Sequence, residues 1–150
     1  MKKTFMDVDK NKIDKNTAYD LLEKFKKKFV APDYDRYNQK IFNLKRSWLL
    51  NCNLSCKVEI ISTENFESIP LNKNTKVYFY DERDNKMYKT LFSEICEFIA
   101  GFEPWDEIDA EIFDDSFEWF IAISHEDISL IHGLSHIPGS MLYNKPFYTN

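Results

Sequence analysis

The feature that most constrains the fold is a change in the spacing of apolar residues along the chain. Before residue 50 they recur every three or four positions, as on one face of a helix; from Leu54 they alternate, as on one face of a strand. A chain with both periods in separate stretches packs helices against a sheet. The sequence therefore predicts an α+β fold: an N-terminal helical pair, then an antiparallel sheet carrying one further helix.

Two helices are predicted in the N-terminal third of the chain. The first follows Thr17, which with Asp20 resembles a capping box, and it ends before Pro32. The second follows Asp33 and its apolar stripe reaches Trp48. The short link between the two stripes is typical of a helical hairpin.

The alternating runs beyond residue 54 predict strands with a helix between them. The runs are 54–61, 77–80, 87–88, 108–113, 117–124 and 128–132. The helix covers 91–99 and is expected to end at Gly101 in a left-handed cap. Short links join the last three runs, which predicts a three-strand meander. Its middle run is apolar on both faces, as expected for a central strand covered by a helix.

The chain of 150 residues is predicted to be one domain, with residues 1–15 as a loose arm. Only three glycines are present, and they lie far apart, which argues against glycine-rich phosphate loops. The longest apolar stretch, 119–123, is far below the ~18 residues of a membrane span. The N-terminus lacks the apolar core of a signal peptide. Three sparse cysteines, at 52, 56 and 96, are consistent with a reducing cytoplasm and no disulfide framework.

Charge is distributed very unevenly along the chain. The net charge is −5, but residues 1–50 carry +6 and residues 101–150 carry −9. We call residues 103–118 the acidic segment, because it contains no lysine or arginine and eight acidic residues: Glu103, Asp106, Glu107, Asp109, Glu111, Asp114, Asp115 and Glu118. Two interpretations remain open: a solvated face, which the basic helices of the same chain could adjoin, or a surface that meets a basic partner. An acidic pI of about 5.2 argues against a nucleic-acid partner.

Catalytic and metal-binding patterns are weak. His132 and His136 have helical metal-ligand spacing, but Gly133 and Pro138 argue against a helix there. The Ser-His-Glu-Asp run at 124–127 suggests a catalytic triad, but adjacent strand residues point to opposite faces. We therefore predict no catalytic residue, no metal and no cofactor.

One acidic pair keeps a third alternative open. A two-residue hairpin loop at Asp114 and Asp115 places Glu111 opposite Glu118. Like charges directly opposite one another destabilise a sheet, so such a pair suggests a purpose. Paired carboxylates perform acid–base catalysis or hold Mg²⁺, which is the basis for considering a small metal-dependent hydrolase.

The stretch 101–127, GFEPWDEIDAEIFDDSFEWFIAISHED, resembles the C-terminal halves of small bacterial immunity proteins, which neutralise polymorphic or contact-dependent-inhibition toxins. The resembling features are the acidic loop with Trp105, the strands that follow it, and the Ser-His-Glu turn. The resemblance implies a cytoplasmic, non-catalytic protein that binds a toxin domain, often a basic nuclease domain. The expected contact surface is Trp105 with the acidic segment. The alternative is a regulatory or structural binding module with an unknown partner.

Overall fold

The computed structural model describes residues 11–29 and 56–143. In chain order the elements are α1 (Lys15–Phe29), β1 (Val58–Ser62), a 3-10 helix (Thr63–Ser68), β2 (Lys76–Asp81), β3 (Lys86–Leu91), α2 (Phe92–Ala100), β4 (Ala110–Phe113), β5 (Phe120–Ser124), β6 (Ile128–His132) and β7 (Met141–Tyr143). The predicted α+β class is confirmed. The second predicted helix, over 33–48, lies outside the described residues.

The sequence predicts an antiparallel sheet whose C-terminal part is a three-strand meander. In the described residues, seven strands belong to one sheet. The strand order is β3-β2-β4-β5-β6-β1-β7, and every neighbouring pair is antiparallel. β5 is the middle strand, and all five of its residues are buried, as its two apolar faces led us to expect. At the β3 edge the described end of the predicted arm is attached: Lys12 bridges Tyr88, and the Ile13 N–H donates to the Met87 carbonyl at 2.8 Å.

Each face of the sheet carries its own apolar core. On the first face α1 presents Phe25 and Phe29, whose rings pack 4.9 to 5.4 Å from those of Phe113 and Phe120. On the second face α2 and the 3-10 helix cover a core that includes Trp119 and the isoleucines of β4 and β5. The apolar stripe of α1 is thus the face it buries, as its sequence spacing predicts.

The ends of both helices differ from the sequence expectation. The residue that caps α1 is Asp14, three positions before the predicted cap at Thr17. Asp14 accepts hydrogen bonds from the Thr17 N–H at 2.9 Å and the Thr17 hydroxyl at 3.0 Å. These bonds lower the pKa of Asp14. α2 ends at Gly101 as predicted, but with a φ of −84° rather than in a left-handed cap. Its N–H bonds back to the carbonyls of Glu97 and Phe98, so no positive φ is needed.

Candidate functional site

The structure divides the nine predicted contact residues into three groups. Three residues precede β4 and reach solvent: Glu103, Trp105 and Glu107. Three are buried: Asp106, Asp109 and Glu111. The last three lie in the β4–β5 link: Asp114, Asp115 and Glu118. The first group and the β4–β5 link lie towards opposite ends of β4. The acidic segment therefore does not form one continuous surface.

Trp105 is held at the tip of a tight turn. The Asp106 N–H donates to the Glu103 carbonyl at 2.9 Å, and the Glu103 N–H donates back to the Asp106 carboxylate at 2.8 Å. Pro104 occupies the first central position of this turn, where its fixed φ is favourable. The turn leaves 58% of Trp105 exposed to solvent. Asp106 therefore acts within the turn, and Trp105 is a large aromatic surface on a fixed backbone.

Next to this turn lies a groove formed by elements that are distant in sequence. Its walls are the 3-10 helix, the C-terminal half of α2 with the residues that follow it, and the turn between β5 and β6. The 3-10 helix is attached to that turn because the Thr63 N–H donates to the Asp127 carbonyl at 2.8 Å. The Thr63 hydroxyl also lies 3.0 Å from that of Ser129 in β6. The resulting groove has a volume of about 570 Å³.

The groove has an apolar floor and an acidic rim, and we call it the acidic groove. Its apolar lining includes Phe66, Ile99 and Phe102. Its acidic lining consists of four exposed residues: Glu64, Glu67, Glu103 and Asp127. None of the described residues that line it is a lysine or an arginine. Since Glu103 belongs both to the Trp105 turn and to the rim, the two features are continuous.

Lys73, which does not line the groove, contacts a carboxylate of its rim. The Lys73 ammonium lies 2.5 Å from the Glu67 carboxylate and 3.2 Å from the Cys96 sulfur. The hydrogen bond to Glu67 raises the pKa of Lys73. Lys73 thus neutralises the Glu67 end of the rim.

Asp109, predicted as a contact residue, serves a structural role inside the protein. Its carboxylate accepts a hydrogen bond from the Arg83 Nε at 2.6 Å on one oxygen. On the other oxygen it accepts the backbone N–H of His125 at 2.8 Å and lies 2.8 Å from the His125 Nδ1. These hydrogen bonds offset the cost of removing the Asp109 carboxylate from water. They also join three segments: the β2–β3 turn, the start of β4 and the β5–β6 turn.

Glu111 is the most deeply buried acidic residue of the segment. Its exposure is 0%, and no donor among the described residues bonds to either side-chain oxygen. Burial, together with the neighbouring carboxylates of Glu82, Asp109 and Asp81, raises the pKa of Glu111 well above its usual value. The raised pKa favours the protonated, neutral form of the Glu111 carboxyl.

The register of β4 and β5 corrects the predicted carboxylate pair. Glu111 lies opposite Ala122, and Ile112 lies opposite Ile121. The two-residue loop was wrong because the link extends over 114–119, with Phe117 at a φ of 52°. Glu118 is exposed and lies in the link, so the two glutamates do not face each other.

The histidines and cysteines have separate surroundings. The His132 Nδ1 lies 2.7 Å from the Lys57 carbonyl, and the His136 Nδ1 lies 2.8 Å from a Glu59 carboxylate oxygen. Ser124 accepts the N–H of Glu126 at 3.0 Å. Over 11–29 and 56–143, no group of three or more His, Cys, Asp or Glu residues is arranged to hold a metal ion.

The two described cysteines are both free thiols. Burial raises the pKa of Cys56 to about 12, which makes it an unreactive thiol at neutral pH. The third cysteine of the sequence, Cys52, lies outside the described residues.

Sequence reasoning missed the part of the groove contributed by Glu64, Glu67 and Asp127. The first two stand three residues apart, a spacing that places them on one side of a helical turn, but the sequence pattern predicts no helix between the runs that begin at 54 and 77. Asp127 was considered only for a catalytic triad, not as part of a contact surface. Nothing in the local pattern indicates that these residues meet the region after α2.

Comparisons with protein-family models, with curated proteins and with solved structures found no match. In the described part of the chain, no helix has the length and apolar character needed to cross a membrane.

Proposed function

We propose that this chain is a non-enzymatic, cytoplasmic immunity-type protein that binds and neutralises a toxin domain. The observation that carries the proposal is Trp105, which is 58% exposed on a doubly hydrogen-bonded turn beside the acidic groove. Large aromatic residues on fixed backbone dominate the energy of many protein interfaces, because little conformational freedom is lost when they are buried. Trp105 is the anchor of the proposed interface.

The chemistry around Trp105 favours a basic partner. Glu103 is exposed beside it, and the rim of the groove adds three further carboxylates. Such a surface attracts a positively charged domain and speeds its encounter, an effect screened beyond ~8–10 Å at ordinary ionic strength. Domains that act on nucleic acid present basic surfaces, so a nuclease-like toxin fits this description.

The proposed contact surface is smaller than the one expected from the sequence. It keeps Glu103, Trp105 and Glu107, and it leaves out Asp106, Asp109 and Glu111, whose side chains are buried. A regulatory binding module would use the same surface and would differ only in what its partner does. The hydrolase alternative loses support, because the Glu111–Glu118 pair on which it depended does not form.

Co-expression tests the proposal directly. The C-terminal domain of a secreted protein encoded beside this gene is expressed from an inducible promoter, alone and together with this chain. We expect the domain alone to arrest growth and the pair to grow normally. An absence of such a neighbouring gene, or growth arrest that this chain does not relieve, contradicts the immunity function and leaves the regulatory module.

A matched pair of variants tests the surface. Trp105→Ala should weaken binding of the toxin domain by about 30-fold, since truncating an anchor residue typically costs ~2 kcal/mol or more. Tyr19, which is 63% exposed on α1, provides the control, because Tyr19→Ala removes a comparable exposed aromatic from a different element. Isothermal titration calorimetry of both variants measures the difference. Equal affinities of Trp105→Ala and the original chain would move the interface elsewhere.

A further inference from the structure

We infer that the acidic groove binds lysine or arginine side chains from a basic segment of the partner protein. The aliphatic stems lie along Phe66, Ile99 and Phe102, and the cationic groups meet Glu64, Glu103 and Asp127. This inference rests on the proposed function for the identity of the partner. It specifies which chemistry the partner presents and where that chemistry is received.

The combination of an apolar floor and a carboxylate rim distinguishes this occupant from others. Long basic side chains have an apolar stem and a charged end. The stem can be buried while the charged end stays in water or pairs with a carboxylate. A wholly apolar side chain leaves the carboxylates without partners, and a nucleic-acid phosphate is repelled by them. A bare metal ion needs converging ligands, and the described residues contain no such group.

The size of the groove fits a segment rather than a single atom group. A volume of about 570 Å³ is within the range of pockets that enclose ligands of several side chains' size. Lys73 already neutralises Glu67 at one end, so the three remaining carboxylates define where an incoming cation is attracted. The groove also adjoins Trp105 through Glu103, so one partner segment can contact the anchor and the rim together.

The geometry of the groove is fixed by interactions within the described residues. The Thr63 bonds hold the 3-10 helix to Asp127 and Ser129. On the other wall the Phe98 and Phe102 rings contact edge to face at 5.1 Å. A site that is already formed loses little conformational freedom on binding, which favours recognition of short basic segments.

The probe is an acetylated, amidated tetralysine peptide, titrated into the full-length ¹⁵N-labelled chain. We expect amide shifts at the 3-10 helix, at residues 99–105 and at Asp127, with a change in tryptophan fluorescence. An analogue built from 2,4-diaminobutyric acid carries the same charge on a shorter stem, and it should bind several-fold more weakly if the stems contact the apolar floor. Equal binding of the two peptides contradicts the role of the floor.

Two charge-matched triple variants locate the site. The groove variant is Glu64→Gln/Glu103→Gln/Asp127→Asn, in which Asn tolerates the φ of 61° at position 127. It should weaken tetralysine binding about tenfold, from the loss of three partly exposed charge pairs.

The control variant, Asp20→Asn/Asp115→Asn/Glu118→Gln, removes the same charge from other elements. The Tyr78 hydroxyl donates to Asp115 at 2.6 Å, and the amide oxygen that Asp115→Asn introduces can still accept this bond. We expect the affinity of the control variant for tetralysine to stay within about twofold of the original, since weakly coupled surface charges act mainly through screened attraction.

Each contrary outcome overturns the inference in a different way. An equal loss of affinity in both triple variants shows attraction to net charge rather than to the groove. Spermine binding at least as tightly as tetralysine, with the same amide shifts, shows a site for small polyamines. The proposed function is tested separately: if the groove variant still neutralises the toxin at full strength, the groove assignment fails while the immunity function stands.

Discussion

Replacing Glu111 by glutamine should change how the stability of the protein depends on pH. Burial raises the pKa of Glu111 in the native protein, whereas in the unfolded chain the residue has its ordinary value of 4.5. Between these two pKa values the native state binds one proton more than the unfolded state. Stability therefore falls as pH rises through this window, and it stops falling once pH passes the native pKa. The Glu111→Gln variant has no titrating group at this position, so it lacks this slope.

The expected magnitude follows from one proton. Within the window the original chain loses about 1.4 kcal/mol per pH unit relative to Glu111→Gln. Below pH 4.5 the two proteins should have similar stabilities, because the protonated carboxyl and the amide are similar in size and both are uncharged. At higher pH the glutamine variant should be the more stable one, although it removes a carboxyl group from the core.

Urea unfolding at half-unit pH steps from 4 to 8, followed by tryptophan fluorescence, measures both free energies of unfolding. Glu118→Gln is the control, since Glu118 is exposed in the same segment and its profile should run parallel to that of the original chain. A difference between the original chain and Glu111→Gln that stays constant across this range would refute the raised pKa of Glu111. So would a difference that changes in the opposite direction.

Three further predictions concern stability and are measured by urea unfolding. Gly133→Ala places a Cβ 2.2 Å from the Glu118 carbonyl oxygen at a φ of 81°, whereas the Cβ of Gly139→Ala, at a φ of 84°, meets nothing within 4 Å. The first variant should lose ~3 kcal/mol or more of unfolding free energy and the second ~1 kcal/mol. Equal losses would contradict the close approach at Gly133. Trp119→Ala should cost ~3–5 kcal/mol as a large-to-small core change, and a loss below ~1 kcal/mol would place the side chain outside the core. Because Asp14 caps α1, Asp14→Ala should lower the free energy of unfolding by ~1 kcal/mol, and Asp20→Ala by well under half of that. A larger loss for Asp20→Ala than for Asp14→Ala would support the capping box predicted from the sequence.

Periodicity predicted the elements of the described chain better than their ends. The stripe of α1 identifies the buried face of that helix, because a helix against a sheet must place its apolar residues on one side. The two apolar faces of β5 predicted a central position for the same reason. The cap at Asp14 was missed because Thr17 and Asp14 both suit a helix start, and only the backbone geometry distinguishes them.

The contact surface was harder to predict than the fold. The sequence shows eight acidic residues together, but it does not show that Glu111 shares a sheet face with Phe113 under a helix until the strand register is known. A one-residue change in register reverses which side chains face the core. The register was predicted wrongly because the loop between β4 and β5 was assumed to have only two residues. The acidic groove was missed for a different reason: its walls come from stretches separated by more than twenty residues, so only the tertiary fold brings them together.

The position of β1 between β6 and β7 has a consequence for the newly made chain. Glu59 pairs with Ile131 on one side and with Leu142 on the other, so both partner strands are translated long after β1. At elongation rates of about 5–20 residues per second, β1 is synthesised roughly 4 to 16 seconds before Tyr143 is added. Until β6 is made, both backbone edges of a strand containing Ile60 and Ile61 are open to other chains. We therefore expect the nascent protein to need ribosome-associated chaperones to reach the end of its own synthesis without aggregating.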